Sequence, residues 1–189
     1  MRTRQQSGFT MIEVLVTIAI LVVGLLGLAA MQALSTLAEL ESYQRAQAIL
    51  LVQDMVDRIN ANRRLSMEYV TPTPLGTGNA AAPCAGTIAE RDLCEWQNAL
   101  LGSSETSGGG LAVGAMIGAR GCVTNITATM PREFQIAVVW QGLVPTAIPG
   151  ATACGAGDYG DDRTRRAVTA NVIIGCLQNN LANGLCVTP

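Results

Sequence analysis

The sequence contains neither histidine nor lysine, so all twelve of its basic residues are arginine. Without histidine, neither a Ser-His-Asp triad nor a Cys-His catalytic pair can form. The GxxxxGK[ST] signature of a phosphate-binding loop is also missing from the sequence. We therefore predict no catalytic residues and no cofactor, and we expect the protein not to be an enzyme.

Charge is also scarce, with a formal net value of −2 across 189 residues. The arginines are scattered, except for adjacent pairs at 63–64 and 165–166. Nucleic-acid-binding domains usually carry a basic patch or stripe, which this sequence lacks. We therefore expect no nucleic-acid partner.

The longest uncharged stretch covers residues 14–38, between Glu13 and Glu39. A helix of this length reaches about 37 Å, which exceeds the ~30 Å hydrocarbon core of a bilayer. Arg2 and Arg4 precede it and predict a cytoplasmic N-terminus, with the C-terminal portion on the other side of the membrane. The sequence thus predicts one membrane-spanning segment, and we place it at residues 9–38.

The helical pattern continues beyond the membrane segment, and no proline occurs between Phe9 and Arg64. Apolar residues recur at steps of three and four, which predicts an amphipathic stripe. We therefore expect one long helix over residues 9–62, with a periplasmic amphipathic part within 39–64. The stripe consists of Leu37, Leu40, Ala48, Leu51, Met55 and Ile59, with Gln44 filling its one polar gap.

Residues 65–189 are expected to form a small globular head. Residues 88–101 predict a short helix, and residues 122–129 predict a strand. Two further runs, around residues 134–141 and 168–174, alternate with the period of two that is typical of strands. A long helix with a small antiparallel sheet gives an α+β fold class.

Six cysteines follow the predicted membrane segment, and their even number suggests up to three disulfides in an oxidising compartment. A metal site is not expected, because there is no CxxC pair and no histidine. Fifteen pairings are possible; proximity along the chain favours Cys84–Cys94 and Cys176–Cys186, which leaves Cys122–Cys154.

Asp158, Asp161 and Asp162 suggest either calcium or a solvated turn beside arginines, and their spacing does not fit an EF-hand.

The segment Gly8-Phe9-Thr10-Met11-Ile12-Glu13-Val14 resembles the type IV prepilin signature. The resemblance implies a type IV pilin fold, cleavage of the leader 1–8 after Gly8 by a prepilin peptidase, and N-methylation of Phe9. It also implies that Glu13 meets the amino terminus of a neighbouring subunit and sets the filament register. An intramembrane acid is a functional candidate in its own right, although Glu13 could instead rest at the headgroup boundary.

Several further blocks resemble the minor pilins of the type IV pilus modification family. They lie at residues 24–29, 47–51, 54–62, 92–96, 121–123 and 138–141. The resemblance implies a minor pilin that primes pilus assembly, with other minor pilins, the major pilin and inner-membrane assembly proteins as partners. A tip adhesin and a type II secretion pseudopilin are the alternatives. The implied location is the bacterial inner membrane and then the pilus, at its tip.

Overall fold

The computed structural model describes residues 9–102, 116–127 and 129–176. The chain divides into two compact units, residues 1–40 and residues 41–189. The first unit consists largely of apolar helix. The second unit contains the sheet and both clusters of buried apolar residues.

The principal helix, α1, covers Met11–Ala61, within two residues of the predicted bounds at each end. Up to residue 40 every described side chain is exposed. Among the described residues, α1 is the one helix with a stretch long and apolar enough to cross a membrane, and none of that stretch is buried. The structure thus leaves an apolar surface uncovered along the first unit.

From residue 41 onward, α1 belongs to the second unit and contributes one face to its core. The predicted stripe is confirmed from Ala48 onward, where Ala48, Met55 and Ile59 are fully buried. The prediction was wrong for its first members, since Leu37 and Leu40 are exposed. Val52 is buried more deeply than the predicted Leu51, because Val52 continues the four-residue step from Ala48.

A 3₁₀ helix at Arg63–Tyr69 follows α1, and the second α-helix, α2, covers Ile88–Leu100 as predicted. Thr87 and Glu90 form a capping box at its start: the Thr87 side chain accepts from the Glu90 backbone, and the Glu90 carboxylate accepts from the Thr87 backbone. This reciprocal arrangement satisfies two amide groups that would otherwise lack partners. The helix therefore has a well-defined start directly after a turn-rich loop.

Within the described residues, the sheet has four antiparallel strands in the order β1-β2-β3-β4. Their bounds are Leu75–Gly76, Arg120–Thr127, Arg132–Gln141 and Arg165–Ile174. The α+β fold class and the three predicted strands are confirmed. The two-residue strand β1 was missed, because it is too short to show a period and sits among the turn residues Pro72, Pro74 and Gly78.

The two faces of the sheet contribute to separate apolar clusters. Phe134, Ile136, Val138 and Trp140 belong to the main core, together with α1 and α2. The intervening Ala137 and Val139 join the bonded cysteines Cys122 and Cys154 in a smaller cluster. Both faces of β3 are therefore covered, which makes β3 the most buried strand that the structure describes.

Candidate functional site: the N-terminal segment and the head

The N-terminal segment begins with two residues before α1 and places one carboxylate in the first turn of that helix. Phe9 and Thr10 precede α1, and the Thr10 carbonyl accepts from the backbone amides of Glu13 and Val14 at 3.1 and 3.4 Å. Glu13 lies in the first turn, where a carboxylate complements the positive end of the helix dipole. Gly8, the predicted cleavage residue, lies outside the described residues.

Glu13 is the one charged residue between positions 9 and 38. It has no ion-pair partner among the described residues. Phe9 is 84% exposed, and large apolar side chains remain exposed along the first unit as far as Leu40. An apolar surface of this extent needs lipid or neighbouring helices to cover it, and Glu13 lies at its edge.

In the head, Arg58 of α1 joins three carboxylates into one polar cluster. Its guanidinium contacts Asp54 at 3.0 Å, Asp92 at 2.9 Å and Glu95 at 2.8 Å. Burial lowers the pKa of Arg58, but hydrogen bonds to Glu95, Asp54 and Asp92 outweigh it and raise the pKa overall. Arg58 therefore stays charged and ties α2 to α1.

Tyr69 extends this cluster by donating its hydroxyl to Asp92, while the Asn62 side-chain amide donates to the Tyr69 oxygen at 2.9 Å. Burial and the hydrogen bond to Asp92 raise the pKa of Tyr69, so the phenol stays protonated. Sequence reasoning missed the cluster. The spacing of Asp54 and Arg58 was a visible signal for an i,i+4 pair, but nothing local pointed to Asp92.

Two disulfides occur in the described residues: Cys84–Cys94, a pair that proximity along the sequence favours, and Cys122–Cys154, the pair that was left. Cys176 is also disulfide-bonded. Cys186 lies outside the described residues, so the pairing Cys176–Cys186 stays a prediction.

The aspartates that suggested calcium are each paired with an arginine. Asp158 contacts Arg120 at 3.1 Å, Asp161 contacts Arg163 at 2.8 Å, and Asp162 contacts Arg165 at 2.7 Å. Hydrogen bonds from these arginines lower the pKa of Asp161 and of Asp162. The three ion pairs agree with the predicted turn beside arginines. Arg165, however, is buried rather than exposed to solvent.

The uncovered apolar helix, its single acid at one end and the disulfide-bonded α+β head together describe a type IV pilin-like protein. Residues 3–29 match the family described as prokaryotic N-terminal methylation motif. Residues 30–99 match the family described as Type IV pilin Tt1218, a match that ends before the three long strands. Comparison with curated proteins and with solved structures gives no match.

These findings support a pilin subunit that is anchored in the membrane by its apolar helix and associates with pilus components. The methylation motif implies processing by a prepilin peptidase. The matched pilin family is one of structural subunits rather than enzymes.

Proposed function

We propose that this protein is a minor pilin of the PilV type, part of a minor-pilin complex that primes type IV pilus assembly and sits at the tip. The observation that carries the proposal is the motif from Gly8 to Glu13 at the start of an exposed, uncharged helix. The ordered sequence blocks that resemble type IV pilus modification proteins favour a minor subunit. So does the lack of proline in the apolar helix, since major pilins of the family commonly have one.

In this proposal, prepilin peptidase removes residues 1–8 after Gly8, and the new terminal residue Phe9 is N-methylated. Removing Arg2 and Arg4 changes the side-chain charge of the protein from −2 to −4. Residues 9–38 hold the subunit in the inner membrane, with the N-terminus in the cytoplasm. Residues 39–64 form the periplasmic part of the helix, and residues 65–189 form the periplasmic head.

Glu13 acts at the assembly step. In the lone subunit its carboxylate lies at the membrane boundary, where contact with water keeps the cost of its charge low. Among the packed helices of a filament it would be buried, and a buried charge needs a partner of opposite sign. The amino group of a neighbouring subunit's terminal residue, equivalent to Phe9, would supply that charge and fix the axial register.

Deletion of this subunit tests the proposal. We expect the deletion strain to lose surface filaments while its major pilin is still cleaved and stored in the inner membrane. Restoring the wild-type chain should restore filaments. Normal filaments with lost adhesion would contradict the priming role and favour the tip adhesin. Normal pili with lost protein secretion would favour the pseudopilin.

Crosslinking in living cells would identify the partners. A photoreactive residue placed at an exposed head position, such as Met67 or Ile88, should capture other minor pilins. The same residue at the exposed Ile12, which leaves Glu13 in place, should capture neighbouring N-terminal segments. Capture of the major pilin alone from every head position would contradict membership of a minor-pilin complex.

A further inference from the structure

A cavity of about 410 Å³ lies in the second unit, between the beginning of the head part of α1 and the sheet. Its size falls within the range of small-molecule sites. All of its lining residues come from residues 41–189. They are Glu41, Ser42, Arg45, Trp140, Thr146, Arg166 and Ala167.

The cavity carries one positive charge that has no counterpart. Glu41 and Arg166 pair at 2.5 Å, and the two other guanidinium nitrogens of Arg166 donate to the carbonyls of Arg163 and Val144 at 3.2 and 2.7 Å. Every nitrogen of Arg166 is therefore engaged within the protein. Arg45 has no hydrogen bond or ion pair among the described residues, so its charge is available to a ligand.

The remaining polar groups of the cavity can act as donors. Ser42 and Thr146 contribute hydroxyls, of which that of Thr146 donates to the Ala147 carbonyl at a long 3.5 Å and would turn to reach a ligand. Trp140 is only 2% exposed, and its indole Nε1 has no hydrogen-bond partner in the part of the chain that the structure describes. A buried donor without a partner is costly, and the residue that carries it lines this cavity. Donors around one positive charge complement an anion with several acceptor oxygens.

The position of the cavity indicates where such an anion would come from. Glu41 follows residue 38, the end of the uncharged run, by three residues. Three residues of chain span at most about 11 Å, however the two units are arranged. The cavity therefore lies close to the membrane surface if residues 9–38 span the bilayer, a step that rests on the proposed function.

We propose that this cavity binds the phosphate of a phospholipid headgroup in the outer leaflet of the inner membrane. A phosphodiester carries one negative charge, which matches the uncompensated charge of Arg45. Binding would hold the head at the membrane surface while the subunit waits for assembly. Arg45 is the residue on which recognition depends, with Ser42 and Thr146 as hydroxyl donors.

The test uses the full-length protein in dodecyl maltoside micelles, which contain no phosphate. Its two tryptophans give two indole N–H signals in a ¹⁵N–¹H spectrum, and Trp140→Phe identifies one of them. Trp96 serves as an internal reference, because its Nε1 already donates to the Leu51 carbonyl at 2.9 Å. Titration with dihexanoyl phosphatidylglycerol should shift the Trp140 signal saturably and leave the Trp96 signal in place.

Arg45→Gln should weaken this binding roughly tenfold, as expected for loss of one charge-assisted hydrogen bond. Arg91→Gln is the matched control: Arg91 is an exposed arginine of α2 outside the cavity, so its variant should bind like the wild type. No saturable shift, or equal binding by Arg45→Gln, would overturn the proposal.

Three further arms identify the ligand. Dihexanoylglycerol, which lacks phosphate, should not shift the Trp140 signal. Inorganic phosphate at equal affinity would make this a general anion site and overturn the lipid assignment. A Trp140 shift that follows protein concentration without lipid would assign the cavity to a second copy instead. Leader cleavage is scored in cells for the wild type and Arg45→Gln; failure in both counts against the proposed function rather than against the lipid site.

Discussion

At the scale of single residues, Glu13 is set apart by its surroundings. It lies in the first turn of a helix whose next charged residue is Glu39, and most of the side chains between them are apolar. A carboxylate at the centre of a bilayer costs about 2.5–3.5 kcal/mol on insertion scales and less near the interface. Under the proposed function, its position at the end of the uncharged run suits a residue that is tolerated in the membrane and then buried in an assembly.

We predict that Glu13→Ala still inserts, is cleaved after Gly8 and forms its head disulfides, but assembles poorly or out of register. The reason is that, in the proposed function, only the assembled state buries the carboxylate and needs its charge. A strain carrying the substitution in this subunit alone is scored for precursor cleavage, co-purification of minor pilins and surface filaments. Glu39→Ala is the matched control, because Glu39 lies beyond the other end of the uncharged run. Normal assembly by Glu13→Ala would leave Glu13 as a boundary residue.

Gly8 is the other residue whose substitution should have a sharp effect. We predict that Gly8→Val leaves an uncleaved precursor in the membrane, because glycine leaves the backbone accessible to the peptidase and valine does not. Mass spectrometry should find a methylated Phe9 at the N-terminus of the wild type and the intact leader in the variant. Gly24→Val makes the same change where no atom lies within 4 Å of the new Cβ, and it should be cleaved normally. A mature terminus elsewhere would argue against the motif.

At the scale of elements, the head is held together where α2 packs on the sheet and where disulfides close its loops. Trp96 of α2 is fully buried and lies against Gly121 of β2. A Cβ at Gly121 would overlap the Trp96 ring and Leu100. The contact between helix and strand therefore depends on the missing side chain of one glycine.

Gly121→Ala should destabilise the protein by roughly 1–3 kcal/mol, the usual cost of overpacking a well-filled core. Gly150→Ala is the matched control, because nothing lies within 4 Å of its added Cβ. Urea unfolding of both variants in micelles, followed by tryptophan fluorescence, would measure the difference in free energy of unfolding. Equal stability of the two variants would show that α2 can shift to accommodate the methyl group.

The two disulfides should contribute unequally. Cys84–Cys94 closes 10 residues and Cys122–Cys154 closes 32. In the chain-entropy description, these loops correspond to about 2.7 and 3.7 kcal/mol of stabilisation. We therefore expect the double alanine variant at 122 and 154 to have the lower free energy of unfolding.

Non-reducing peptide mapping of the wild type should recover both pairs and Cys176–Cys186; crossed pairs or free thiols would reject the assignment.

At the scale of the whole molecule, the two units differ in whether they bury side chains of their own. Every member of the main core comes from residue 48 or later. The first unit contributes no buried side chain among its described residues. The head core is therefore stabilised without side chains of the first unit. The same folded head could then occur in a membrane-bound subunit and in a filament.

We predict that a fragment of residues 41–189 folds as a monomer, unfolds cooperatively and forms its disulfides when produced in an oxidising compartment. The expectation follows because the fragment retains both apolar clusters and the Arg58 cluster. Circular dichroism during thermal unfolding and light scattering would test it. An aggregated or non-cooperative fragment would show that the apolar helix is needed for folding as well as for anchoring.

Local patterns in the sequence determined the long helix, α2, the three longer strands and the Cys84–Cys94 pair, while Cys122–Cys154 followed only as the pair that was left. Hydrophobic periodicity and closeness along the chain need no knowledge of distant contacts. The charge-free run and the Gly8 to Glu13 motif are likewise contiguous, so the pilin-like class could be read from the sequence.

Only the tertiary structure placed Asp92 against Arg58, Trp96 over Gly121 and Arg166 beside Glu41. These partners are separated by 34, 25 and 125 positions, so no helical or strand period relates them. The burial of Arg165 has the same origin: carbonyls of Thr152 and Cys154 and the carboxylate of Asp162 converge on its guanidinium. Packing of the folded head decides which charges are buried, because burial depends on neighbours that the linear sequence does not specify.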